Sequence, residues 1–453
     1  MTMRGTWVAA AILAVACGGG GGGGTDTAAT AATTDGTGAG PTTMSSETAS
    51  TDGPTTAGPT TVGPSTDPTT AGPTSDPTTA GPTSDPTTGP GTSGPTTDPG
   101  TTTDPGTTTD TTGPDTTTGA GDDSTLCASQ AEGPYFPADA IWYHDASNDP
   151  VAPDSDAITQ WMVQNAPPNG WGTGTMRIDF SITAIDAPAG TEKRPFEIDN
   201  DYYYTPDCDV APIPLPPGGV VEDYPQDLPP ADSFEGYDCS GYQEGADCHM
   251  IVVSRSEQRL YEIYHATVDA QTEQFSAGCL ALWDTSKIYD LDGRGQQCTS
   301  ADAAGFPIAP LLFSAEEVAA GEINHAIRFI LPNSMIRAKK YVAPATHGTN
   351  TTGPTTSIPY GGHMRLRADY PIEDLSPGAQ VIAKALQKYG MYMSDGGNIA
   401  LTAQSDVYGC ATWADVGVDS FSLADLKATD FEVIDHGPTI DVTFECERTP
   451  IME

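Results

Sequence analysis

The paired runs His249-Met-Ile-Val-Val-Ser254 and Leu260-Tyr-Glu-Ile-Tyr-His-Ala-Thr267 decide the fold class. Both are rich in β-branched and aromatic residues, and the polar Arg255-Ser-Glu-Gln258 between them reads as a hairpin turn. Upstream, Met176, Ile178, Phe180 and Ile182 alternate with Arg177, Asp179 and Ser181, the pattern of a half-buried antiparallel strand. Further strands are expected over residues 279–283, 324–331, 363–370 and 440–444. Helices are fewer. Ser376-Pro377 supplies an N-cap and a first-turn proline, Val381, Ile382, Ala385, Leu386 and Tyr389 form an apolar stripe, and Gly390 ends it. Ser314 with Glu317, and Ser422 with Asp425, have capping-box spacing, and residues 156–165 are expected to be helical. The pattern predicts a mainly β domain: an antiparallel β-sandwich, jelly-roll-like, with a few peripheral helices. Residues 190–247 lack periodicity and are rich in Pro, Asp and Tyr. They predict either a functional loop pinned by cysteines or a set of short strands.

Outward from this domain, 125–453, the chain changes character. Residues 17–124 are nearly all Gly, Thr, Pro, Ser, Ala and Asp, and Asp67-Pro-Thr-Thr-Ala-Gly-Pro-Thr-Ser75 restarts at Asp76 and Asp85. Such a stretch cannot bury a core, so it is expected to be a disordered tether rather than a solenoid. Its contour is on the order of 300 Å at about 3.1 Å per residue. Before it, Arg4 and the apolar run Trp7 to Val15 have the form of an export signal, 1–16, too short to span a bilayer. Leu13-Ala-Val-Ala-Cys17 resembles the lipobox of bacterial lipoproteins, with alanine rather than leucine three residues before the cysteine. The resemblance implies lipidation at Cys17, anchoring in a lipid bilayer, and, because Gly18 and not aspartate follows, the outer membrane, with the domain periplasmic or extracellular.

The cysteines agree with export. Apart from Cys17 there are eight: Cys127, Cys208, Cys239, Cys248, Cys279, Cys298, Cys410 and Cys446. An even set suggests up to four disulfides. Cys239–Cys248, Cys279–Cys298 and Cys410–Cys446 are the expected links. Asp and Glu number 61 against 18 Lys and Arg, a net charge of −43. That sign sets aside nucleic acid and anionic lipid headgroups as partners and suits Ca²⁺, cationic ligands or neutral glycans. A monomer is expected.

Several stretches of the domain resemble a family of secreted bacterial proteins: Pro150 to Ile158, His249 to Val253 with Leu260 to Tyr264, Thr299-Ser-Ala-Asp-Ala-Ala-Gly-Phe-Pro-Ile308, Glu317 to Phe329, and Lys388 to Met391 with Asp395-Gly-Gly397. The resemblance covers most of residues 130–435. It implies one contiguous exported domain and no particular reaction.

HExxH, P-loop, strand-placed GxSxG and Rossmann glycine patterns are missing, which disfavours metalloprotease, nucleotide and α/β-hydrolase chemistry. Three sets of residues are the candidates. In the hairpin, His249 aligns with Ile251 and Val253, while Glu262 shares a face with Leu260 and Tyr264; a histidine among β-branched residues is more often a satisfied core group than a catalyst. His363, Arg365 and Arg367 share one strand face, either a stripe for a carboxylated or sulfated sugar or a row of cross-strand ion pairs. His347 is placed on a loop, where sites concentrate. Asp284, Asp290 and Asp292 surround a turn and could hold Ca²⁺, although an Asp-Gly turn explains them as well. Catalytic roles are expected for His249, Glu262, His347 and His363, and ligand binding for Tyr264, Arg365 and Arg367. The function expected is interaction with extracellular glycans. A polysaccharide hydrolase or lyase using His, Glu and Tyr is one alternative, and a non-catalytic surface or adhesion protein another.

Overall fold

The computed structural model describes residues 129–453 except 167–170, 172–174, 225–228, 240–245 and 270. The expected export signal (1–16), Cys17, the expected tether (17–124) and Cys127 lie outside the described residues.

The domain is mainly β with few helices. Its largest sheet has six strands in the order Ile178–Ile182, Leu401–Gln404, Ile327–Leu331, Met391–Gly396, His363–Leu366 and Phe431–Val433. A second sheet runs Cys279–Asp284, Arg259–Tyr264, Met250–Ser254 and Ala184–Asp186. The hairpin read from sequence forms the middle of this second sheet, with Val252 opposite Tyr261 and Val253 opposite Leu260. Its two faces serve two cores. Ile251, Val253, Leu260, Ala281 and Trp283 join the larger core with Ile178, Phe329, Met364 and Leu401 of the six-stranded sheet. Met250, Val252, Tyr261, Ile263 and Leu280 join a smaller core with Ile213, Val220 and Tyr237. Two sheets sharing one core give the layered arrangement expected from sequence.

The pairing is mixed rather than purely antiparallel. Ile178–Ile182 runs parallel to Leu401–Gln404, Ile327–Leu331 parallel to Met391–Gly396, and Ala184–Asp186 parallel to Met250–Ser254. Parallel neighbours require long crossovers, which are what the chain supplies between these strands. Strand ends also moved inward: 363–370 keeps only His363–Leu366, and 440–444 only Ile440–Asp441.

Helix α1 spans Ser155–Asn165, α2 Ala315–Ala320 and α3 Pro377–Lys388. Ser314 caps α2 through the expected reciprocal box with Glu317, and Ser376 caps α3 by accepting from the Ala379 amide. Ser422 instead closes a turn with Asp419, so no helix starts there. Within 190–247 the short-strand expectation holds, with Lys193–Arg194, Glu197–Ile198 and Ile213–Pro214, and Cys208 and Cys239 are both disulfide-bonded. Cys239 pairs with Cys248 as expected. Cys279 pairs with Cys208, and Cys298 with Cys446, so the expected Cys279–Cys298 and Cys410–Cys446 links are corrected. Proximity along the chain misled here, because strand pairing and the C-terminal segment bring distant cysteines together. Cys410 is also disulfide-bonded. Among the described residues no helix is long and apolar enough to cross a membrane.

Candidate functional site

The loop Thr299–Gly305 gathers charged groups from both sheets, largely through its own main chain. Ala301 O accepts from His249 Nε2 at 3.0 Å. Ala303 N donates to Asp395 Oδ2 at 3.2 Å, and Ala303 O accepts from His347 Nδ1 at 2.8 Å. Thr299 N donates to Asp207 Oδ1 at 2.8 Å. The one side chain the loop contributes to the charged cluster is Asp302, whose Oδ1 accepts from Arg328 Nη2 at 2.6 Å. Gly305 closes the loop at φ +80°, where a Cβ would meet Thr346 Oγ1 at 2.2 Å and Cys298 O at 2.7 Å. Only glycine fits there.

Beneath the cluster lie two buried cations. His249 donates from Nδ1 to Glu222 Oε2 at 2.6 Å. Burial alone would lower its pKa, but the Glu222 carboxylate and that of Asp247 push it up to about 10, so His249 is an imidazolium at neutral pH. Arg328 is 3% exposed. Burial opposes its charge too, and Asp302 and Asp395 hold the guanidinium above its ordinary value. Its Nη1 donates to Thr402 Oγ1 at 3.1 Å, while its Nε and Asp302 Oδ2 have no partner.

Over these cations two carboxylates remain half-exposed. Asp395 ends the strand Met391–Gly396, and burial raises its pKa against the pull of Arg328 and His249. Asp247 sits just before the hairpin. Burial pushes its carboxyl up to about 7; Glu222 and Asp395 reinforce the shift, and His249 and Arg328 oppose it. Its neighbour Cys248 and the facing His265 both have left-handed backbone, φ 47° and 55°, and His265 N donates to Asp247 O at 2.9 Å. Such paired distortion fixes where Asp247 and Tyr264 point.

Tyr264 lies 5.7 Å from the His249 ring, and burial together with Asp247 raises its hydroxyl far above the ordinary range. Beside it Tyr202 stacks on His265 at 4.1 Å. Asp199 pairs with His265 at 3.3 Å. His347 completes the group. Because a carbonyl can only accept, its Nδ1 carries the proton; burial keeps its pKa low, so it is neutral and Nε2 carries the free lone pair.

Of the residues singled out from sequence, His249, His347 and Tyr264 therefore meet here. Glu262 does not share their role. It is fully buried, accepting from Trp283 Nε1 (3.0 Å), Ile308 N (2.7 Å) and Ala309 N (2.8 Å), so it anchors the chain beyond the loop. Burial raises its pKa to about 7. His363 is a core group, stacked on Tyr392 at 4.1 Å and donating to Tyr389 O, and burial lowers its pKa to about 4. Arg365 is consumed by Glu432 and Ala146 O, and Arg367 by Asp156, Glu432 and Thr429 O. This row is the cross-strand ion-pair alternative, with no cation left over for an acidic sugar. Asp284 binds Arg259, Lys287 and Ser286; Asp290 caps its own turn; Asp292 accepts from Gln296. The turn reading accounts for all three, and among the described residues no group of three or more His, Cys, Asp or Glu is placed to hold a metal ion. Trp171 is buried and donates to Leu426 O.

Sequence reasoning did not single out Glu222, Asp247, Asp302 or Arg328. A usable signal existed for the last two. The Thr299–Ile308 and Glu317–Phe329 stretches quoted from the sequence contain Asp302 and Arg328, and they converge with His249, Tyr264 and Asp395 from the other quoted stretches. No family model, curated protein or solved structure matches the chain.

Proposed function

We propose that the domain hydrolyses glycosidic bonds of a neutral extracellular polysaccharide and is held at the outer membrane by an acylated Cys17. The observation that carries this reading is the pair Asp247 and Asp395, half-exposed above two buried cations and beside Tyr264. Glycoside hydrolysis uses one carboxylic acid to protonate the departing oxygen and a second carboxylate on the other side of the bond. Asp247, with its proton retained near neutrality, suits the first role. Asp395, bonded to Gly396 N at 2.7 Å and Ala303 N, is held rigidly enough for the second. His249 and Arg328 offset the charge of these carboxylates, and Arg328 Nη2 lies 3.7 Å from Asp395 Oδ2. The acidic excess of the chain favours a neutral over an anionic glycan.

The test is to incubate the purified domain with neutral polysaccharides and measure new reducing ends. Asp247→Asn is expected to lower turnover by about 10²-fold or more with unchanged melting. Retention of a glycan by the wild type without cleavage would replace the enzyme with a binding module. Neither cleavage nor retention would leave surface adhesion as the better account.

A further inference from the structure

We infer that Phe444 contacts the substrate, as an aromatic ledge that a disulfide-locked C-terminal strap holds at the mouth of this site. The inference rests on the hydrolase reading above. After Ile440–Asp441 the chain runs on to Glu453 with no further helix or strand, yet it is fastened at many points. Thr443 N donates to Gln297 Oε1 at 2.8 Å, and three residues later Cys446 bonds Cys298, the residue preceding the site loop. Arg448 Nη2 and Ile451 N both reach Asp209 Oδ1, at 2.6 and 2.8 Å, and Asp209 is fully buried.

Between the first two fastenings Phe444 takes φ 63° and stays 45% exposed. Left-handed backbone is disfavoured for a non-glycine residue, and an exposed phenyl ring forgoes the burial that ordinarily stabilises it. Neither feature helps the strap to fold. Both follow if the ring's position matters, and that position is defined. Its centroid lies 5.6 Å from the ring of His347, at 65°, and His347 is bonded through Ala303 to the same loop that holds Asp395. A phenyl ring offers the C–H face of a pyranose an apolar surface without charge, suited to a neutral sugar. With Tyr202 and Tyr264, Phe444 supplies the aromatic lining that a site of carboxylates otherwise lacks.

The experiment is steady-state kinetics on neutral oligosaccharides of increasing length. Phe444→Ala is expected to raise KM by about tenfold, the scale of one aromatic contact, with kcat within about twofold. Melting should not change, and Phe444→Trp should restore KM. The double variant Cys298→Ser, Cys446→Ser should reproduce the rise in KM by releasing the strap. An active wild type whose KM is indifferent to Phe444→Ala overturns this inference alone. A wild type inactive on every neutral glycan overturns the hydrolase reading and this inference together.

Discussion

Arg328 and Arg365 are both buried arginines on strands of the six-stranded sheet, and their surroundings differ in one respect. Arg365 meets Glu432 and the carbonyl of Ala146, and its neighbour His363 gives its proton to Tyr389 O. Arg328 meets Asp302 and lies near Asp395, but its Nε and Asp302 Oδ2 stay unpartnered, and Asp395 is open to solvent on one side. The first region is a completed network. The second keeps unpartnered polar atoms in its interior beneath a partly open carboxylate, and that incompleteness, not the presence of charge in a strand, sets it apart from a brace.

Breaking each region should separate the two. Arg328→Met would leave the buried Asp302 without its cation and remove the one nearest Asp395, and about 3–5 kcal/mol of stability is expected to go. Arg365→Met should lose a similar amount in denaturant titration, yet its turnover per folded molecule should match the wild type, whereas that of Arg328→Met should collapse. Equal loss of turnover in both would erase the distinction.

The histidines give a sharper contrast, because their signs are opposite. The folded pKa of His249 is raised to about 10, above the ordinary value of about 6.5, so its stabilising contribution is full below that value and lost as pH rises toward 10. The folded pKa of His363 is lowered to about 4, so its contribution is present above about 6.5 and lost as pH falls toward 4. Stability measured from pH 4 to 10 should therefore show the penalty of His249→Gln shrinking at the alkaline end and that of His363→Asn at the acid end. Gaps that narrow in the same direction would break the contrast. The smallest effect is expected at the rim of the braced region. Arg367→Ala removes an ion pair to Asp156, whose side chain is 79% exposed, and should cost under about 1 kcal/mol in thermal melting.

Much of the scaffold was legible because it follows local rules. The hairpin showed its alternation, α3 its cap and stripe, and α2 its reciprocal Ser314–Glu317 box. The strand Met391–Gly396 was not, since its Asp395-Gly396 end reads as a turn until two neighbours pair with it. The parallel strand partners were equally hidden, because alternation records which face is buried and not the direction of the neighbour. For the site, His249, His347 and Tyr264 were visible as residue types. Glu222 was not, as it comes from the aperiodic 190–247 segment and meets His249 only after folding. Asp247 gave no sign beyond lying beside Cys248. The row of His363, Arg365 and Arg367 stood out for its density of cations, but Glu432, which absorbs much of that charge, lies more than sixty positions away along the chain.

The loop Thr299–Gly305 carries a practical consequence for mutational mapping. Ala301 and Ala303 hold His249, His347 and Asp395 with a carbonyl, a carbonyl and an amide. A scan that truncates side chains to alanine would pass over both positions without registering them, and would credit the site wholly to the residues they hold. Backbone editing reaches them: Ala303→Pro deletes the amide that Asp395 accepts from, and an ester in place of that peptide bond would do so with less disturbance of the chain.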